Sequence, residues 1–333
     1  MDAELSVDGS LLVIVLKDGV ATVWDTKDGV LKHTFERHDE VRGQRRGHIR
    51  AVAFSPDMKW LATGGAPLRQ EELAIWNLES GEIALRFLDD LRSFNVNGIM
   101  FSRDSRFVIA HSTNSVIHVF GTEDGREIAH WASRHGQLRD IVLHPDGEQI
   151  ITSGYGGAVR IWKITTGELM QELLDSHRTE DKINALSTSV DGSRLLVAHE
   201  SGRVNLWDLE RSERVLAFDL HRSTVSEVEL SPDAGNAVTL GQDLKIWSGV
   251  TGLLSQEINA NMFIAMNDDG TRVLSGSYSD SSAVDIYSIP SGEKEATLYG
   301  HERSLIEADF MPHGMGVWSV ARDGNAIIWK RKQ

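Results

Sequence analysis

Thirteen histidines and no cysteine bound the chemistry open to this 333-residue chain. Without thiols there is no disulfide framework and no thiolate metal site. Histidine could act as a general base or a metal ligand, but both roles need partners at set spacings. No H-x-x-x-H pair with a carboxylate partner falls on a helix, and there is no G-x-S-x-G elbow or P-loop. His144 and His313 lie in Pro-containing turns, and Gly154 to Gly157 reads as a hairpin turn. The sequence therefore predicts no catalytic residue, no metal site and no cofactor. What remains is recognition chemistry. Arg45, Arg46, Arg50, Arg92, Arg134, Arg139, Arg178, Arg222, Arg303 and Arg322 punctuate a chain whose net charge is -15. The planar guanidinium fork pairs with carboxylates and stacks on aromatic rings. The acidic balance argues against nucleic acid and anionic membrane as partners. No apolar run approaches 18 residues, and Met1-Asp2-Ala3-Glu4 lacks a basic leader, so a soluble cytoplasmic chain is expected.

The elements that would position these arginines show most clearly in residues 138–174. Apolar runs at 141–143, 149–152, 158–162 and 168–174 are separated by turn signals at Pro145-Asp146-Gly147, Gly154 to Gly157 and Thr166-Gly167. The third run alternates with period two, as a half-buried strand does. Four strands in so short a stretch, joined by tight turns, must be neighbours in one antiparallel sheet. Such a sheet cannot bury both faces by itself and needs copies.

The copies are present. The third-strand aromatic recurs as Trp24, Trp76, Phe120, Trp162, Trp207, Trp247, Tyr287 and Trp329, at spacings of 40 to 52 residues. A turn residue precedes each: Asp8, Asp57, Asp104, Asp146, Asp191, Asp233, Asp269 and His313. Five positions after the aromatic stands Gly29, Gly81, Gly125, Gly167, Gly252 or Gly292, with Ser212 as the exception. The period is that of a propeller blade. With Phe54-Ser55-Pro56-Asp57, Gly47-His48, Trp24-Asp25 and Trp207-Asp208 in place, the chain resembles the WD-repeat β-propellers, in a style closer to prokaryotic members. Only two units keep the Asp after the aromatic.

The expected fold is therefore all-β, a single propeller over residues 1–333. Its eight repeats fall near 1–36, 47–88, 92–131, 135–174, 178–218, 221–257, 258–298 and 300–333. The last unit has room for three strands only, and no spare strand precedes the first. Seven blades with a displaced repeat is the alternative. The edge at 325–329 is expected to be tolerated or to accept a strand from a partner or from upstream sequence.

The resemblance implies more. In that family a His before strand a, a Ser or Thr on strand b, a b–c turn Asp and the aromatic form a buried hydrogen-bonded set. The last repeat supplies His301, Ser319, Asp323 and Trp329, while Asp18, Gln70, Asn114 and Gly156 occupy the turn position elsewhere. Units three and seven are expected to rely on apolar packing instead. The resemblance also places partner contacts on the rim made by the d–a and b–c loops. Strand-a anchors Ile49, Val96, Leu138, Ile183, Val225, Met262 and Leu305 would be followed there by Arg50, Asn97, Arg139, Asn184, Ser226, Phe263 and Ile306. Adding Arg45, Arg46, Arg92, Tyr155, Tyr278 and Arg322 gives a rim suited to an acidic protein segment. His199 shares these loops, and extra residues lie near 37–47 and 67–71. The functional expectation is a non-enzymatic interaction scaffold or sensor subunit. The alternative is a propeller hydrolase or lyase acting at a central channel.

Overall fold

The computed structural model describes residues 2–15, 19–35, 49–65, 73–87, 96–112, 114–174, 181–218 and 221–330. Among them every regular element is a strand except one 3-10 turn at Pro312–Gly314. The strands form eight consecutive antiparallel meanders, seven of four strands and a last one of three. This is the all-β, eight-bladed β-propeller class, so the seven-blade alternative does not hold. We number the blades in chain order and letter their strands a to d. Blade 4 comprises Leu138–Leu143, Gln149–Gly154, Ala158–Lys163 and Leu169–Leu174, within three residues of the expected limits.

The turn residues account for the regularity. In the a–b hairpin of blade 1, Asp8 Oδ1 accepts from Ser6 Oγ at 2.7 Å and from the Ser10 amide at 2.9 Å. Asp57, Asp104, Asp191 and Asp233 close their hairpins in the same way on Ser55, Ser102, Ser189 and Ser231. These bonds fix the hairpin without help from tertiary packing. The c–d turn needs a left-handed residue. The six glycines adopt φ between 66° and 73°, and Ser212 adopts 56° in the seventh turn.

Two compact units divide the chain: Met1–Arg134 with Lys163–Glu168, and His135–Trp162 with Leu169–Gln333. In the first, Val23 and Phe35 of blade 1 pack with Leu61 and Trp76 of blade 2, and Phe87 packs against Phe120 of blade 3 at 4.6 Å between ring centroids. In the second, Val197 and Trp207 share a cluster with Ile161, and Phe218 lies 5.2 Å from Trp247. Each unit thus places its core between the faces of successive blades. Complete burial of one such Phe or Leu contributes about 1.5–3 kcal/mol.

Candidate functional site

Strand a breaks register just after its buried anchor, at Ile49/Ala51, Leu138/Asp140, Ile183/Ala185 and Leu305/Glu307. Opposite His111/Ser112 the same shift occurs at Asn97. The residue that pairs with nothing is Arg50, Arg139, Asn184, Ile306 or Asn97. A bulge of this kind turns one side chain out of the ladder, and Arg50, Asn97 and Arg139 are exposed. Blade 7 departs from the expectation. Its anchor is the fully buried Ala260, its shift spans Asn261 to Ile264, Met262 is exposed, and Phe263 is buried at 7 % exposure. A two-residue bulge replaces the one-residue bulge, so Phe263 is core and presents nothing to a partner.

One rim group is assembled in detail. Arg139 Nη2 donates to Tyr155 Oη at 3.1 Å, and its guanidinium carbon lies 4.8 Å from the Tyr155 ring centroid. Lys182 Nζ lies 4.6 Å from the same centroid and pairs with Glu200 at 2.9 Å. Tyr155 sits at the b–c turn with its own amide bonded to the Gln137 carbonyl. The sequence pointed to Arg139 and Tyr155. It missed Lys182 and Glu200, whose place beside Tyr155 depends on the packing of blade 5 on blade 4. Asn184 is half-buried and donates to the Val225 carbonyl, which ties strand a of blade 5 to the segment leading into strand a of blade 6. Tyr278 is 64% exposed, and Arg322 is exposed with its amide bonded to Ser304. Arg45, Arg46, Arg92, Arg178, Asp18, Gln70, His48 and the extra residues of 37–47 and 67–71 lie outside the described residues.

Behind the rim, the polar set of blade 8 is continuous. His301 Nε2 meets Ser319 Oγ at 2.8 Å, His301 Nδ1 meets Asp323 Oδ2 at 3.1 Å, and Trp329 Nε1 donates to Ser319 at 2.9 Å. Blades 4 and 6 repeat its centre, His135–Thr152–Trp162 and His221–Thr239–Trp247. There a strand-c cation stands near the imidazole. Burial, aided by Arg160, pushes His135 down to about 3, and burial with Lys245 pushes His221 down to about 4. Both rings are neutral at physiological pH. Blade 3 has no hydroxyl or indole at these positions and packs Phe120 on Phe87, as expected. Blade 7 corrects the expectation. Buried Asp285 accepts from Tyr287 Oη, Lys294 Nζ and Thr297 Oγ1 at 3.1, 2.8 and 2.6 Å, a separate polar network.

A second set of side chains escaped the sequence reading. Along the a strands of the second unit, carboxylates and hydroxyls reach to the next blade's edge amides. Asp140 accepts from Leu186 at 2.7 Å, Ser187 from Leu230 at 3.0 Å, and Glu227 from Ile264 at 2.8 Å. Asp2 and Glu4 reach Val52 and Phe54 similarly in the first unit. Burial pushes Glu227 and Asp309 up to about 6. Burial, with Asp309, Glu227 and Asp140 adding like charge, pushes Glu229 up to about 8. The signal is an acidic residue two places past the buried anchor, Asp140 after Leu138 and Glu227 after Val225.

The free side of blade 8 is the last candidate. Strand c there (Ala326–Trp329) pairs with Gly316–Ala321 on one side, and no fourth strand pairs with it among the described residues. A cleft of about 560 Å³ opens between blades 7 and 8, floored by Ile286, Leu298, Phe310, Val317 and Trp329.

Comparison with known proteins agrees with this geometry. Residues 29–66, 127–163 and 167–208 match the family model "WD domain, G-beta repeat". The chain is 23% identical over 326 residues to human "Cilia- and flagella-associated protein 52", covering 89% of this chain and 51% of that protein. It is 29% identical over 227 residues to the "WD repeat-containing protein WDS homolog" of Arabidopsis thaliana, covering 66% and 40%. It is 20% identical over 246 residues to "Target of rapamycin complex subunit wat1" of Schizosaccharomyces pombe, covering 72% and 74%. The chain thus spans about half the length of the first of these relatives. Three stretches of the chain thus match the model of that repeat, and the similarity to the WD repeat-containing WDS homolog covers 66% of the chain.

Proposed function

We propose that this chain is a non-enzymatic interaction scaffold, or the sensor subunit of a larger assembly, whose d–a and b–c loops dock an acidic protein segment. The observation that carries the reading is the Arg139–Tyr155–Lys182 group. Two cations hold an aromatic ring at an exposed turn, which offers a stacking surface and guanidinium donors to a carboxylate. Arg50 and Asn97 sit on equivalent bulges. The relatives' names support a role in assemblies, since one of them is a complex subunit. A cytoplasmic site of action and a prokaryotic style of repeat belong to the same proposal. Affinity purification from the native cell with Arg50→Ala/Arg139→Ala beside wild type tests it. Loss of the specific partner is expected, and an unchanged partner set would contradict the rim reading.

The open edge of blade 8 favours a second contact, acceptance of a strand from a partner or from upstream sequence. Its support is the cleft lined by Ile286, Leu298, Phe310 and Trp329 beside Ala326–Trp329, a strand paired on one side only among the described residues. An upstream extension of the chain that fills this edge raises the melting temperature by several degrees. No change on extension counts against strand acceptance. A hydrolase or lyase reading would employ Glu227, Glu229 and Asp309 as acids. Activity screening with and without divalent metal separates it from the scaffold reading.

A further inference from the structure

In blades 4, 6 and 7 the c–d ladder carries a charged side-chain pair two residues before the aromatic, and blade 3 fills the same position with two histidines. In blade 4 the pair is Arg160 with Glu172, Nε to Oε1 at 2.7 Å. In blade 6 it is Lys245 with Glu257 at 2.8 Å. In blade 7 it is Asp285 with Thr297, joined by Lys294. Each of these sets balances its own charge. In blade 3 the paired residues are His118 and His130, and the third member is Glu127.

Ordinary strand geometry would keep these three apart. Glu127 and His130 are three residues apart on strand d (Glu127–Ala132), and alternation would send them to opposite faces. The ladder, however, shifts register between Val119 and Phe120 and skips Ile128. The extra residue returns Glu127 to the face that holds His118 and His130. Glu127 Oε1 lies 2.6 Å from His118 Nδ1 and 3.1 Å from His130 Nδ1. The imidazoles stack at 5.4 Å, and His118 also lies parallel to Phe120 at 5.9 Å, which fixes its plane. Among the described residues, this is the one group of three histidine or acidic side chains whose donor atoms all lie within 4.8 Å of one another.

We propose that His118, Glu127 and His130 form a binding site for a divalent transition metal of the zinc class on the outer strands of blade 3. Two imidazole nitrogens and one carboxylate oxygen are the donor set such ions select over calcium or magnesium, which prefer all-oxygen shells. Zinc–nitrogen and zinc–oxygen bonds near 2.0–2.2 Å place neighbouring donors roughly 3.3 Å apart, so small side-chain rotations suffice. Two imidazoles and one carboxylate leave further coordination positions for water or for a donor from another molecule. The site is accessible: the His130 and Glu127 side chains are 63% and 29% exposed. Binding would replace the close contacts that the two imidazoles now make with Glu127.

The test is calorimetric titration of the purified chain with Zn²⁺ at pH 7.5, together with visible absorption of the Co²⁺ form. One ion per chain is expected at micromolar affinity or better. The exposed His130→Ala and the near-isosteric Glu127→Gln are each expected to weaken binding by about tenfold or more. Neither removes a buried group, so both variants fold. Absence of binding, or binding that both variants retain at full strength, would overturn the assignment and leave a hydrogen-bonded triad.

Discussion

Thr239→Val is expected to destabilise the protein by roughly 2–4 kcal/mol although the two side chains are nearly isosteric. Thr239 is fully buried, and its Oγ1 meets His221 Nε2 at 2.6 Å and accepts from Trp247 Nε1 at 2.9 Å. Removing the hydroxyl leaves two ring nitrogens without partners beside a Trp247 that is only 1% exposed. A buried polar group left unpaired costs about 1–3 kcal/mol. The packing volume is unchanged, so the loss isolates the polar term from a cavity term. Thr22→Val in blade 1 is the comparison. Trp24, which donates to Thr22 at 2.9 Å, is partly exposed, and water can replace the lost acceptor. Urea unfolding should show a loss of less than about 1 kcal/mol there. Equal losses at the two sites would mean that the polar set contributes no more than methyl packing does.

Raising the pH from 5 to 9 is the second large effect. Glu229 ionises near the ordinary glutamate value when unfolded and at about 8 in the fold, with burial the main cause and Asp309, Glu227 and Asp140 adding repulsion. A carboxyl raised in the folded state favours folding while it is protonated. That contribution is complete below about 4.5 and is lost as the pH rises through 8. Glu227 and Asp309, raised to about 6, act in the same direction over a lower window. These side chains are half-buried, so solvent moderates the effect, and the summed loss is on the order of 3 kcal/mol. The melting temperature should fall steadily between pH 5 and pH 9 at constant ionic strength. Glu229→Gln removes the acidic proton, keeps the shape, and should flatten the upper part of that curve. A variant whose curve parallels wild type would show that Glu229 is already ionised at neutral pH.

The fold was legible because its local signals are redundant. Asp8, Asp57 and their counterparts close hairpins through bonds made within five residues, and Gly29 and its counterparts take the φ that only glycine adopts cheaply. The bulges were legible only in effect. The residue after the anchor is exposed at Arg50 and Arg139, where one residue is skipped, whereas Phe263 is buried where two are. Residues that depend on a neighbouring blade were not legible at all. Lys182 meets Tyr155 across two blades, and burial between blades, with Asp309, Glu227 and Asp140 adding charge, raises Glu229; within blade 3, His118 meets Glu127 because Ile128 is skipped. Register and blade stacking create these groups, and no spacing in the chain encodes them directly.

The most direct test of the docking account is titration of the co-purified partner with the wild-type chain and with a chain carrying Arg139→Ala and Tyr155→Ala. The two side chains are exposed at the rim, so the folded structure should survive their removal. The account predicts that the pair of substitutions weakens binding at least tenfold, about 1.4 kcal/mol, and reduces its dependence on salt. Unchanged affinity with unchanged salt dependence would contradict it.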